Sequence, residues 1–128
     1  MSRREISTDD APEAIGPYSQ AILADGWLYT AGQIGLDPAT GEFVEGGVEE
    51  QARRALANLE AVLEEAGLGF GDVVKTTVFL ADMDDYGAVN EIYGDHFTAP
   101  FPARSAVEAA TLPRDARVEI ELVARAGD

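Results

Sequence analysis

Val118-Glu119-Ile120-Glu121-Leu122 alternates large aliphatic residues with carboxylates. A period of two belongs to a β-strand with one face in a core. The spacing turns Val118, Ile120 and Leu122 toward a covering layer, and Glu119, Glu121 and Val123 away from it. Upstream, Phe101-Pro102-Ala103-Arg104-Ser105 follows the punctuation of Pro100 and opens another strand, residues 104–109. With Val107 and Ala109 on the core face, Arg104, Ala106 and Glu108 share the opposite face with Glu119 and Glu121. An arginine fork beside a carboxyl group that moves protons makes a site for a small acid.

The rest of the chain supplies the cover. Val48, Ala52, Ala55, Leu56, Leu59, Val62, Leu63 and Ala66 recur at helical spacing, so a helix is expected over 48–66. Glu49 and Glu50 fall in its first turn, where the helix dipole favours anions, and Gly67 stops it. Asp82, Asp84 and Asp85 offer N-caps for a second helix with Tyr86, Val89, Ile92, Tyr93 and Phe97 on its apolar face. Asp25-Gly26 is a two-residue hairpin signal between apolar runs. Strands are expected over 3–8, 21–24, 27–31, 72–80, 104–109 and 117–124. The order β-β-β-α-β-α-β-β predicts an α+β fold, a six-stranded sheet with two helices on one face.

Residues 72–80 carry Val74, Val78 and Leu80 on one face and Val73 and Phe79 on the other. A sheet apolar on both faces needs a second cover, and two helices supply only one. Another copy of the chain is the expected cover, with Arg104 and the glutamates near the subunit interface.

With 128 residues, one domain spanning 1–128 is expected, and 46% hydrophobic content suffices for its core. The sequence shows neither a membrane-length apolar run nor the apolar core of a secretory signal behind Met1-Ser2-Arg3-Arg4-Glu5, and a cytoplasmic location is expected. The formal net charge of -15 repels phosphate backbones, so neither nucleic acid nor a membrane is an expected partner. Lys75 is the only lysine against eight arginines. That bias fits either high-GC codon usage or an acidic surface suited to high salt. With no cysteine and His96 as the only histidine, neither a transition-metal site nor a thiol nucleophile is expected, and no cofactor is. Gly67-Leu68-Gly69-Phe70-Gly71 follows a helix and precedes a strand, the reverse of a phosphate loop, and reads as a connector.

Taken from pattern alone, Arg104 is either a carboxylate clamp or an interface salt bridge. Glu119 is either a proton carrier or an ion-pair partner, and spacing does not separate it from Glu121. Tyr18, in Gly16-Pro17-Tyr18-Ser19-Gln20, caps a pocket or is half-buried. Gly32, in Thr30-Ala31-Gly32-Gln33, lets backbone amides approach a ligand or marks a bulge. Asn90 lies off the apolar stripe of the second helix. His96, near a helix end, reads as a surface or capping residue.

Together these stretches resemble the RidA/YjgF family of small trimeric imine deaminases, from about Ile6 to Arg125. Gly16-Pro17-Tyr18-Ser19-Gln20-Ala21, Thr30-Ala31-Gly32-Gln33-Ile34 and Val89-Asn90-Glu91-Ile92-Tyr93 carry the first three motifs. Pro102-Ala103-Arg104-Ser105, followed by Leu112-Pro113 and Val118-Glu119-Ile120-Glu121, carries the fourth. The resemblance implies a chorismate-mutase-like fold and a homotrimer whose sheets form a central barrel-like core with clefts between subunits. It implies hydrolysis of 2-imino acids, or their enamine tautomers, to 2-keto acids and ammonia. The imines would come from pyridoxal-phosphate dehydratases acting on serine or threonine. In this scheme Arg104 holds the substrate carboxylate, and Glu119 orients water and assists proton transfer. Tyr18 reaches in from a neighbour, Gly32 and the Ala106 backbone shape the pocket, and Asn90 lies close by. Many relatives have cysteine where this chain has Ala106, so thiol chemistry is not expected here. Competing expectations are a non-catalytic sensor of 2-keto or amino acids, an RNA-cleaving protein, which the charge opposes, and a holdase.

Overall fold

The helical stripe over 48–66 forms α1 (Val48–Glu65) in a computed structural model that describes residues 2–126. Met1, at the head of the segment read for a secretory signal, lies outside the described residues, as do Gly127 and Asp128. Ala52, Ala55, Leu56, Leu59, Val62 and Leu63 of α1 are fully buried. The Glu50 side chain accepts the Gly47 N–H at 3.0 Å and closes the first turn. That backbone contact holds the Glu50 carboxyl below its ordinary pKa, with Arg53 adding to it. The second helix, α2 (Tyr86–Gly94), starts after a 3₁₀ turn, Met83–Asp85, capped by Asp82 through the Asp84 N–H. His96 caps its far end through an Nδ1 contact to the Ile92 carbonyl at 2.9 Å, the capping role read from the sequence.

Six strands form one mixed sheet: β1 (Arg3–Ile6), β2 (Ala21–Ala24), β3 (Trp27–Thr30), β4 (Val73–Leu80), β5 (Ala103–Glu108) and β6 (Val118–Arg125). Their order across the sheet is β1-β2-β3-β6-β4-β5. Only β4 and β5 pair in parallel. Asp25 and Gly26 link β2 and β3 with positive φ values of 55° and 80°, the backbone that the Asp-Gly signal selects. The glycine-rich segment after α1 is a connector, ending in a 3₁₀ turn at Phe70–Asp72. Both helices pack on one face, over Leu28, Thr76, Val78, Leu80, Val118, Ile120 and Leu122.

The phase of two strands differs from expectation. In β4 a register irregularity between Val73 and Lys75 leaves Val73 buried and Val74 exposed. In β5, Arg104 pairs with Thr76 and Ala106 with Val78, both on the helix face. Glu108 also faces the helices, where its Oε1 accepts the Met83 N–H at 2.7 Å. Val107 pairs with Phe79 on the open face and is 43% exposed. A short strand whose only large aliphatic is Val107, with alanines at 103 and 106, has no strong alternation of its own. The parallel pairing with β4 sets its phase, and a one-residue slip moves every side chain across the sheet.

The open face carries Trp27, Tyr29, Val107, Val123, Glu119 and Glu121. The chain covers part of it unaided. Ile34, Leu112 and Ala116 form a second small cluster with Leu36, Phe43 and Phe79. Asn58 of α1 anchors that wrap by donating to the carbonyls of Ile34 and Leu36 at 3.2 and 3.0 Å.

Candidate functional site

Arg104 and Glu119 lie on opposite faces of the sheet, separated by β4, because Arg104 pairs with Thr76 and Glu119 with Phe79. This corrects the expectation that they share a face. Each occupies its own cavity, and the expected site residues divide between the two.

The first cavity, about 360 Å³, is lined by Asn90, Tyr93, Gly94, Phe101, Pro102 and Arg104. Tyr86, Asn90 and Tyr93 follow a 4–3 spacing along α2 and present one helical face to β5. Arg104 Cζ lies 4.7 Å from the Tyr93 ring centroid and 5.5 Å from that of Tyr86. Its Nη2 donates to the Tyr86 Oη at 2.7 Å. The guanidinium therefore sits against two π-faces with N–H groups still free for an acid. Ala106 lies just below, in a narrow recess shared with Asn90, Arg104 and Tyr86. Arg104 has no carboxylate partner among the described residues, so within one chain it makes no salt bridge to Glu108, Glu119 or Glu121.

The second cavity, about 340 Å³, brings together Tyr18, Gly32 and Glu119, with Ile15, Gln33 and Arg114 among its walls. A two-way backbone bridge between Gln33 and Ile120, at 2.8 and 3.0 Å, seats Gly32 against the Glu119 side chain. Burial first, then the like charge of Glu121, pushes the Glu119 carboxyl above its ordinary pKa. A carboxyl shifted in that direction is closer to the protonation balance that acid–base work near neutrality requires. Glu121 is exposed, a difference in burial that spacing did not reveal. Tyr18 is 54% exposed at the rim.

Pattern reading missed three contributors. Tyr86 and Tyr93 read as core residues of α2, although their 4–3 spacing with Asn90 was visible. Gln20 is buried and ties residues 8–12 together: its Oε1 accepts the Thr8 N–H at 2.8 Å, and its Nε2 donates to the Pro12 carbonyl at 2.8 Å. That tie holds the segment leading to Tyr18. No local pattern marks a glutamine for burial.

The fold and cavities define a small α+β protein that offers an aromatic-backed arginine on one sheet face and a pKa-raised carboxyl on the other. The family model described as Endoribonuclease L-PSP matches residues 8–126. A Mus musculus protein named 2-iminobutanoate/2-iminopropanoate deaminase is 56% identical over 125 residues, covering 98% of this chain and 93% of the mouse protein. A solved structure from Thermotoga maritima superposes with a TM-score of 0.95 at 48% identity, covering 98% of each chain. Escherichia coli TdcF, solved with bound serine, superposes with a TM-score of 0.90 at 41% identity, covering 97% of this chain and 99% of its own. The chain belongs to the RidA/YjgF family, whose family model carries the L-PSP description.

Proposed function

We propose that this protein hydrolyses reactive 2-imino acids, 2-iminopropanoate and 2-iminobutanoate, to 2-keto acids and ammonia. The observation that carries the reading is Arg104, a guanidinium without a carboxylate partner among the described residues, backed by two tyrosines at an open cleft. The name of the mouse relative, at 56% identity, gives the substrate class. A planar fork suits the carboxylate of such an acid. The carbon of the C=N group is already electrophilic, so positioning and proton transfer suffice without a covalent nucleophile. Water adds to that carbon while Glu119 takes one of its protons. That proton passes to nitrogen, giving a carbinolamine. Its hydroxyl proton is then carried to nitrogen by the same carboxyl as the C–N bond breaks, and the 2-keto acid and ammonia leave. With an enamine, a proton must first reach the β-carbon, and protonated Glu119 is suited to donate it.

Since one chain keeps Arg104 and Glu119 on opposite faces, the reading requires a composite site. Arg104, Asn90 and the Ala106 backbone of one subunit meet Tyr18, Gly32 and Glu119 of its neighbour in a homotrimer. The exposed Trp27, Tyr29 and Val107 on the open face supply apolar surface for that assembly. Pyridoxal-phosphate dehydratases acting on serine or threonine are the reactions that supply such imines, and a cytoplasmic location beside them belongs to the same proposal. Serine bound to TdcF favours a second reading, a sensor that holds small carboxylates without turnover. Ribonuclease activity, suggested by the L-PSP description, is disfavoured by a net charge of -15.

The deciding experiment couples a dehydratase to ammonia and 2-keto acid release. The protein should accelerate release above the rate in buffer, and Arg104→Ala should abolish the acceleration. Binding of 2-oxobutanoate without acceleration would favour the sensor, and undiminished turnover by Arg104→Ala would sink the carboxylate clamp.

A further inference from the structure

Thr76 is fully buried beneath α2, and its hydroxyl lies 2.7 Å from that of Tyr93. It is also the cross-strand partner of Arg104. A valine there would fill similar space but leave the Tyr93 hydroxyl without this partner, so the hydroxyl pair adds a directional contact that packing alone does not. It fixes the tilt of the Tyr93 ring, which stacks on Phe97 with centroids 4.5 Å apart. Arg104 rests over that ring, and Tyr86 holds its Nη2 from the side. An arginine side chain has several freely turning bonds, and an unheld fork samples many orientations. Here one contact sets the depth of the guanidinium and another sets its rotation about its own axis.

We propose that Tyr86 and the Thr76–Tyr93 pair are positioning residues that aim the Arg104 fork at the substrate carboxylate. The inference rests on the reading of Arg104 as that clamp. Tyr86 engages one N–H and leaves the others for the acid, so the hydrogen bond persists while the carboxylate binds. The contribution is pre-organisation: binding no longer carries the full cost of ordering the arginine. Tyr86 is 39% exposed, so losing its hydroxyl should leave the core intact.

The test measures kcat and KM in the coupled imine assay, calorimetric Kd for 2-oxobutanoate, and Tm, all at fixed protein concentration. Tyr86→Phe should raise KM and the 2-oxobutanoate Kd together, by roughly three- to tenfold. Its kcat should stay within about twofold and its Tm unchanged, a split that a merely structural role does not give. Tyr93→Phe keeps the ring but frees its tilt, and should weaken 2-oxobutanoate binding in the same direction. Tyr93→Leu removes the platform and should weaken binding further. Unchanged KM and Kd in Tyr86→Phe, or a fall in kcat alone, would overturn the inference. Arg104→Ala separates the two levels. If it abolishes turnover while Tyr86→Phe changes nothing, only the positioning role fails. If it leaves turnover intact, the clamp itself is wrong.

Discussion

A Cβ at residue 32 would press on the Glu119 side chain, with Cδ only 2.7 Å away, so the absence of a side chain there gives the carboxyl its place. That place is partly out of water and beside Glu121, and both raise the pKa. The sign of the stability effect follows from linkage. Below the ordinary glutamate pKa of about 4.3, the group is protonated folded or unfolded and burial carries no charge penalty. As pH rises through the ordinary value and then the raised one, ionisation costs folded stability. Glu119→Gln should therefore melt with the parent in acid and a few degrees above it at pH 8. Its catalytic effect runs the other way. If the carboxylate is the base, kcat/KM of the parent should rise with pH through a limb lying above the usual glutamate range. In Glu119→Gln that limb should vanish and kcat fall by about 10²–10⁴-fold. Glu121→Gln, at an exposed position, should keep most activity and move the limb slightly toward acid. Parallel pH–rate profiles and melting curves read both effects, and an unchanged limb in Glu119→Gln would assign the titration elsewhere.

Helix α1 carries more than its apolar stripe. Asn58 is fully buried, donates to the Ile34 and Leu36 carbonyls, and accepts the Arg54 Nε–H at 2.9 Å. Replacing it with leucine keeps the volume but leaves two carbonyls without donors. Asn58→Leu should cost about 2–4 kcal/mol, read as a lower urea midpoint with unchanged slope at matched concentration. A midpoint within error of the parent would mean that water or a shifted wrap satisfies those carbonyls. The residue also shows what pattern reading reaches. The α1 stripe, the Asp25-Gly26 hairpin and the β6 alternation were legible because each element follows its own period. The phase of β5 was not, since Ala103, Ala106 and Val107 do not distinguish its faces and only pairing with β4 does. For that reason Arg104 and Glu119 were expected together and are apart, although motif resemblance picked out both. Tyr86 and Tyr93 were visible as helix residues, but their bearing on Arg104 depends on a cross-strand register that no local window contains.

Across the whole molecule, acids outnumber bases by 24 to 9. Little of that charge is neutralised locally. Among the described residues the ion pairs are Arg53–Glu50, Arg114–Glu42 and Arg117–Asp85, all at least partly solvated. Other arginines are directed elsewhere: Arg54 to Asn58, Arg104 to its tyrosines, and Arg125 to the Asp25 carbonyl and the Trp27 ring. The surface thus repels itself, and in the proposed homotrimer bringing copies together across the open face would add to the repulsion. Screening shortens the range of these forces from about 10 Å at 0.1 M salt to about 3 Å at 1 M. Exposed ion pairs contribute little each, so losing them to screening takes away less than relieving the net repulsion restores. Tm should therefore rise with sodium chloride from 20 mM to 1 M at fixed protein concentration. Light scattering over the same series should show assembly holding or strengthening with salt. Choline chloride in place of sodium chloride should give the same rise, because screening depends on ionic strength and not on a bound cation. A Tm flat across the series would mean that the acidic excess is too widely spaced to matter. That result would leave codon usage as the simpler account of a chain with eight arginines and one lysine.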